Sequence, residues 1–227
     1  MNVLITGGDG LLGNKFADVF TWRNHKAKRV DITQSVEDYL DVTNEGYWLH
    51  WADDREWDVL INCAGITNNS KQEGFKDVFG AWDEIMNVNL KGTMLGCKII
   101  GRQMVERGSG CIINIASQYG LVAPHFDIYG DSGIFQPAAY SVSKAGVLGL
   151  TRYLACLWGH SGVRVNAIVP GGVYNGQDQD FVKRFEAENP MRRMAQPEEI
   201  AGAALYIAES TYMNGASIVL DGGWTAQ

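Results

Sequence analysis

Basic residues are the first shortage. The chain has 19 Lys and Arg against 26 Asp and Glu, a net charge of -7, and no Lys/Arg run. Nucleic acids and anionic membranes both require a basic footprint, so neither is an expected partner. Long apolar runs are missing too: no stretch approaches the roughly 20 residues of a membrane span. An apolar strand starting at Asn2 leaves no room for a signal peptide, and a cytosolic protein is expected. Cys63, Cys97, Cys111 and Cys156 lack C-x-x-C spacing, so buried reduced thiols are expected rather than disulfides or metal ligands. His50, His125 and His160 show no metal spacing with acids or cysteines and His25 lies in a polar stretch; no metal is expected, and His125 alone is kept as a substrate contact. Proline is scarce at five residues, with no Pro/Ser-rich linker, repeat or low-complexity tract. A chain of 227 residues of this kind suits one domain, 1–227.

Short apolar runs alternate with helical patterns along the chain. NVLIT precedes a helix from Leu11, KRVDI and YLDV follow, and a helix is expected near Glu45 to Ala52. Then come DVLINCAG, a long helix over about 81–107, CIINIAS, a helix from Ala138 to about Trp158, VRVNAIVPGG and SIVLDGG. Strands alternating with helices imply right-handed crossovers and a parallel sheet covered on both faces, an α/β doubly wound fold. The segments at about 118–137 and 172–197 follow the carboxyl ends of strands, where such sheets place their ligands, and are read as substrate loops.

The turn TGGDGLLG spaces Gly7, Gly10 and Gly13 as G-x-x-G-x-x-G between an apolar strand and a helix. Gly7 would permit the sharp turn, Gly10 the close approach of a pyrophosphate, and Gly13 the packing of helix on strand. The helix start then offers free N–H groups and a positive dipole end to the phosphates. Asp31 lies about 18 residues beyond Gly13, where an acidic side chain takes the adenosine ribose of NAD. Lys28 and Arg29 are cations that would suit the 2′-phosphate of NADP, but strand alternation sets Arg29 beside Asp31 as its own partner. NAD is the expected cofactor over NADP.

In AAYSVSKAG, Tyr140 and Lys144 are four residues apart and face the same way on a helix. A phenol titrates near pH 10, and an adjacent ammonium favours the phenolate, moving the group toward the range of acid-base work.

With Tyr140 preceded in order by the glycine turn, NCAG and a strand ending at Ser117, the sequence resembles the short-chain dehydrogenase/reductase family over nearly its whole length. TGGDGLLG, DVT at 41–43, NCAG at 62–65, VNLKG at 88–92, INIAS at 113–117, YSVSK, VRVNAIVPGGV and VLDGG appear in family order. The resemblance implies a Rossmann-type fold and an NAD(P)-dependent oxidoreductase interconverting a secondary alcohol and a ketone. It further implies that Tyr140 is the acid/base, Ser117 orients the substrate oxygen, Lys144 binds the nicotinamide ribose and lowers the Tyr140 pKa, and Asn89 supports a proton relay. By the same resemblance Gly7, Asp9, Gly10, Leu11, Leu12, Gly13 and Asp31 surround the diphosphate and ribose, and Asp41 and Val42 the adenine. Asn62, Ala64 and Gly65 line the cofactor, and Pro170, Gly171 and Val173 lie against the nicotinamide. Homodimers or homotetramers are expected from apolar stripes on the 81–107 and Tyr140 helices.

Three departures shape the substrate reading. The glycine turn is similar to that of the extended, nucleotide-sugar-modifying branch, which makes a nucleotide-sugar reductase or epimerase the alternative, with a catalytically silent cofactor-binding protein as the third reading. Tyr174 and Asn175 stand where the family often has a threonine for the carboxamide. Ser117 and Tyr140 are 23 positions apart, longer than the family's usual interval. The intervening GLVAPHFDIYGDSGIFQP resembles segments of short-chain proteins associated with bacterial surface-sugar and flagellin-glycan pathways. The whole segment between Ser117 and Tyr140 offers Gln118, Tyr119, His125, Asp127, Tyr129, Asp131 and Gln136 as hydrogen-bonding groups; with Tyr174, the contacts singled out are Gln118, Tyr119 and His125. A polar, hydroxylated or sugar-like substrate is expected.

Overall fold

The structure, a computed structural model, describes residues 1–53, 55–67, 78–132 and 135–227, the side chains at 131 and 132 excepted. The Asp131 side chain therefore lies outside the described residues. Six strands, β1 (Asn2–Thr6), β2 (Lys26–Val30), β3 (Val59–Asn62), β4 (Gly110–Ile115), β5 (Val163–Pro170) and β6 (Ser217–Leu220), pair in parallel in the order β2-β1-β3-β4-β5-β6. The doubly wound parallel sheet expected from the alternation is the one observed.

Side-chain alternation divides the core between the two sheet faces. Leu4, Leu60, Ile112 and Val165 face one cluster with Trp48, Trp51, Leu95 and Ile100. Val3, Ile5, Ile61 and Ile113 face the other with Phe16, Phe20, Ile200 and Ile207. The first face is covered by α2 (Glu45–Ala52), by α3, a helical run over 82–107, and by α4 (Ala138–Trp158). The second is covered by α1 (Leu11–Trp22) and by α6 (Pro197–Glu209). Within α3 the segments Met86–Gly92 and Cys97–Gly101 are π-helical, a local widening frequent at functional sites.

The chain leaves β1 to one side for β2 and returns on the other for β3, so the topological switch lies between the carboxyl ends of β1 and β3. Open α/β sheets bind ligands at that crevice. Gly7, at φ +64°, turns the chain out of β1, and a Cβ there would stand 2.7 Å from the Ala64 Cα beyond β3. Only glycine allows the two loops to meet so closely.

Several local expectations need correction. YLDV forms no strand; Tyr39 makes a lone bridge to Asp31, just past the end of the edge strand β2. The segment 172–197 holds a helix, α5 (Gln179–Glu188), capped by the Asp178 carboxylate. The segment 118–137 contains 3-10 turns at Gln118–Gly120 and Phe126–Ser132. Ile128 and Tyr129 from it are buried with Val182, Phe185, Met194 and Trp224, so this part of it packs against α5. Cys97 and Cys111 are buried as expected, but Cys156 is exposed, because it lies on the outer side of α4. Among the described residues no helix is long and apolar enough to cross a membrane.

Candidate active site

A cleft of about 630 Å³ runs across the carboxyl edge of the sheet. Gly7, Gly10, Leu11 and Leu12 form one end, with Asp31, Asp41 and Val42 beside them; Ala64 and Gly65 form the middle, and Ser117, Tyr140, Lys144, Pro170, Gly171 and Val173 close the far end. The amino terminus of α1 has no side-chain cap and no acidic residue in its first turn, so its first amides and dipole remain available to an anion. Gly13 acts by packing rather than lining: a Cβ there would stand 2.1 Å from the Gly7 carbonyl oxygen. A dinucleotide's diphosphate fits such a cradle.

The adenosine end carries negative charge. Asp31 accepts from the Asp9 amide at 3.1 Å and from the Thr33 hydroxyl at 3.2 Å. The expected Arg29–Asp31 pairing is replaced: Arg29 donates to Asn14 and lies 3.8 Å from Asp9, because α1 brings those groups over the β2 side chains. Lys28 pairs with Asp38. Both cations near the ribose position are thereby engaged by carboxylates. Asp9 does not line the cleft; its carboxylate accepts from Thr33 at 2.6 Å and from Gln34.

At the other end, α4 places Tyr140 and Lys144 one turn apart, with the Lys144 Nζ 5.7 Å from the Tyr140 ring centre. Lys144 is 5% exposed. Its Nζ donates to the Ile115 carbonyl at 2.8 Å, and a Cβ at Gly65 would lie 3.4 Å from it. The ammonium thus lies against Gly65 in the cleft wall. Burial lowers the Lys144 pKa to about 8. The Tyr140 phenol is raised above its ordinary value, chiefly by burial, with the Ser117 hydroxyl acting in the opposite direction. The expected depression by Lys144 is not found, because desolvation disfavours the charged form of both groups.

Asn89 and Asn62 stand behind the cleft rather than in it. Asn89, fully buried in the π-helical segment, accepts from the Ile66 amide at 2.8 Å and donates to the Ile66 carbonyl at 2.9 Å and to Ser143 at 3.2 Å. It pins the chain that carries Ala64 and Gly65 to α4. Asn62 donates to Asn114 at 2.9 Å and ties β3 to β4.

A second cavity of about 310 Å³ opens from the catalytic end and shares Ser117, Tyr140, Gly171 and Val173 with the cleft. Gln118, Tyr119, Tyr129, Gln136, Thr67 and Asp178 supply polar groups, and Phe181, Phe185 and Met194 an apolar floor. The Tyr129 hydroxyl lies 3.5 Å from that of Tyr119, and Gln136 donates to Thr67 at 2.9 Å. Of the substrate contacts expected from sequence, Gln118 and Tyr119 line this cavity; His125 and Tyr174 line neither space. The His125 ring centre lies 4.9 Å from that of Trp224, the two rings tilted, and His125 faces Glu188 at 3.5 Å; Tyr174 is exposed. Sequence reasoning missed Thr67 and Gln177, which border both spaces, and Asp178. Their loops carry no periodic signal.

A family model described as Enoyl-(Acyl carrier protein) reductase matches residues 23–225, beginning at the end of α1. The D-threitol dehydrogenase of Mycolicibacterium smegmatis is 38% identical over 178 residues, 74% of this chain and 63% of that protein's length. The 2-dehydro-3-deoxy-D-gluconate 5-dehydrogenase of Bacillus subtilis is 35% identical over 187 residues, 77% of this chain and 67% of the relative. A crystal structure of a short chain dehydrogenase from Leptospira borgpetersenii with bound NAD+ superposes with a TM-score of 0.88 at 31% identity, covering 98% of this chain and 92% of the other.

Proposed function

The chain belongs to the short-chain dehydrogenase/reductase family, and we propose that it interconverts a secondary alcohol and a ketone on a hydroxylated, sugar-like substrate, using NAD. One observation carries the reading: Ser117, Tyr140 and Lys144 meet where a cleft lined by a glycine turn joins a polar cavity. A catalytically silent binding protein has no use for that convergence. The similarity to a threitol dehydrogenase and to a deoxygluconate dehydrogenase supports hydroxylated substrates.

When bound, the nicotinamide ring supplies the acceptor or donor of hydride. The protein's own part is to bind, orient and move a proton. Gly7, Gly10, Leu11 and Leu12 would hold the diphosphate, Asp31 the adenosine ribose, Asp41 and Val42 the adenine, and Gly65 with Lys144 the other ribose. Ser117 fixes the substrate oxygen beside the Tyr140 hydroxyl. In oxidation the Tyr140 oxygen takes the alcohol proton; in reduction it returns one to the ketone oxygen. Lys144 stands beside the Tyr140 ring, and Asn89 holds the Gly65 chain in place.

NAD is favoured because Asp31 lines the ribose end while Lys28 and Arg29 are engaged by Asp38 and Asp9. Exposed Val142, Tyr153 and Leu157 on α4, with Met94 on α3, provide apolar surface for a homodimer or homotetramer. The unpaired cysteines suit a reducing cytosol. The test is NADH formation followed by absorbance with a panel of neutral polyols, aldonates and simple alcohols. NAD-linked turnover of polyols is the expected result, and no turnover of any alcohol with either cofactor would overturn the reading.

A further inference from the structure

Gln118 follows Ser117 directly and is 2% exposed. Its side-chain oxygen Oε1 is buried with no hydrogen-bond partner among the described residues, and the residue lines the cavity with Ser117, Tyr119 and Tyr140. Leaving a buried acceptor unpaired is costly, so a group that donates to it gains selectivity.

The position of the oxygen narrows the donor. A Cβ at Gly171 would come within 2.9 Å of Oε1, and Gly171 borders both the cleft and the cavity. The acceptor therefore sits at the junction where Ser117 and Tyr140 receive the reacting oxygen. A donor that reaches it belongs to the part of the substrate next to the reacting carbon. The cavity also carries the Asp178 carboxylate, held by the Asp180 amide at 3.0 Å and the Phe181 amide at 3.2 Å. A fixed negative charge at that wall opposes an anionic substrate.

We propose that Gln118 selects a neutral substrate bearing a hydroxyl on the carbon adjacent to the reacting one, through a hydrogen bond from that hydroxyl to Oε1. The substrate class is a vicinal diol in oxidation and an α-hydroxy ketone in reduction. This selection rests on the alcohol–ketone reading above.

The experiment compares kcat/KM for 2,3-butanediol, 2-butanol, 3-fluoro-2-butanol and 2,3-dihydroxybutanoate with NAD. The diol is expected to exceed 2-butanol by about 10- to 100-fold, the range that one buried hydrogen bond supplies. The fluoro alcohol, which accepts but cannot donate, should behave like 2-butanol, and the carboxylate should be the poorer diol. In Gln118→Met the diol-to-butanol ratio should fall toward one, while Gln118→Glu, which keeps an acceptor oxygen, should retain it. A fluoro alcohol as good as the diol, a preferred carboxylate, or a ratio that survives Gln118→Met overturns the proposal and leaves alcohol oxidation standing. Weakened NADH binding in Gln118→Met with the ratio intact assigns the oxygen to the cofactor and overturns it as well. Failure of every alcohol in the unaltered protein overturns the alcohol–ketone reading and this one together.

Discussion

The Lys144 Nζ lies 5.7 Å from the centre of the Tyr140 ring and donates its hydrogen bond elsewhere, to the Ile115 carbonyl at 2.8 Å. β4 thus fixes the ammonium beside the ring. Tyr140 keeps its hydroxyl for the substrate. Replacing Tyr140 with Phe should therefore lower kcat by about 10²- to 10⁴-fold, the usual contribution of a positioned acid-base group. Cofactor affinity, measured by NADH fluorescence, should change little. Substantial turnover in Tyr140→Phe would remove the assignment.

Burial of Lys144 has a consequence for stability against pH. Its pKa in the folded protein is lowered to about 8 from 10.5. Below pH 8 the ammonium is charged in both states, and the folded protein bears the full cost of burying it. Between pH 8 and 10.5 the folded state has released the proton while the unfolded chain still binds it, so stability from this group rises with pH. Lys144→Met lacks this dependence. The melting temperature of the unaltered protein, relative to Lys144→Met, should be flat from pH 6 to 7.5 and climb from pH 8 to 10. A relative fall over that upper range would contradict a buried ammonium.

At the adenosine end, Asp31→Ala removes an acceptor for the ribose hydroxyls and also a repulsion toward a 2′-phosphate. NAD affinity should fall by about 10- to 100-fold, as for loss of a charge-assisted hydrogen bond, and NADP affinity should fall less or improve. Calorimetric titration of both cofactors decides. Equal losses would move the selector to another residue.

Tyr129 tests the wall of the second cavity without removing the packing around it. Its ring is buried among Val182, Phe185 and Met194, and its hydroxyl lies 3.5 Å from that of Tyr119. Tyr129→Phe keeps the ring and loses the polar tip. KM for a polyol should rise about 2- to 10-fold, the range for one neutral hydrogen bond, with NADH affinity unchanged. Deleting the 118–137 segment outright is a poorer probe, since it would also open the cluster under Trp224. An unaltered KM for every hydroxylated substrate would take Tyr129 out of the site.

Local pattern alone determined much of this protein. Short apolar runs mark five of the six strands to within a few residues, and Lys26–Val30 is recognisable though shifted. Ala138–Trp158 is read to its ends because its 3.6-residue period is long and uninterrupted. Gly7 and Gly13 are legible because the turn tolerates no side chain at either place, and Tyr140 with Lys144 because one helical turn separates them. Tertiary structure decided what depends on distant neighbours. Strand alternation pairs Arg29 with Asp31, yet the approach of α1 gives it Asn14 and Asp9. YLDV is apolar enough for a strand but has only the Asp31 bridge as a partner. His125 has the chemistry of a substrate contact, but Trp224 and Glu188 hold it away from the cavity. The raised Tyr140 pKa and the lowered Lys144 pKa follow from desolvation, which no spacing encodes. Proximity along the chain is written in periodicity; burial and contact between loops 50 or more residues apart arise only when the sheet brings Gly7, Ala64, Ser117 and Gly171 to one edge.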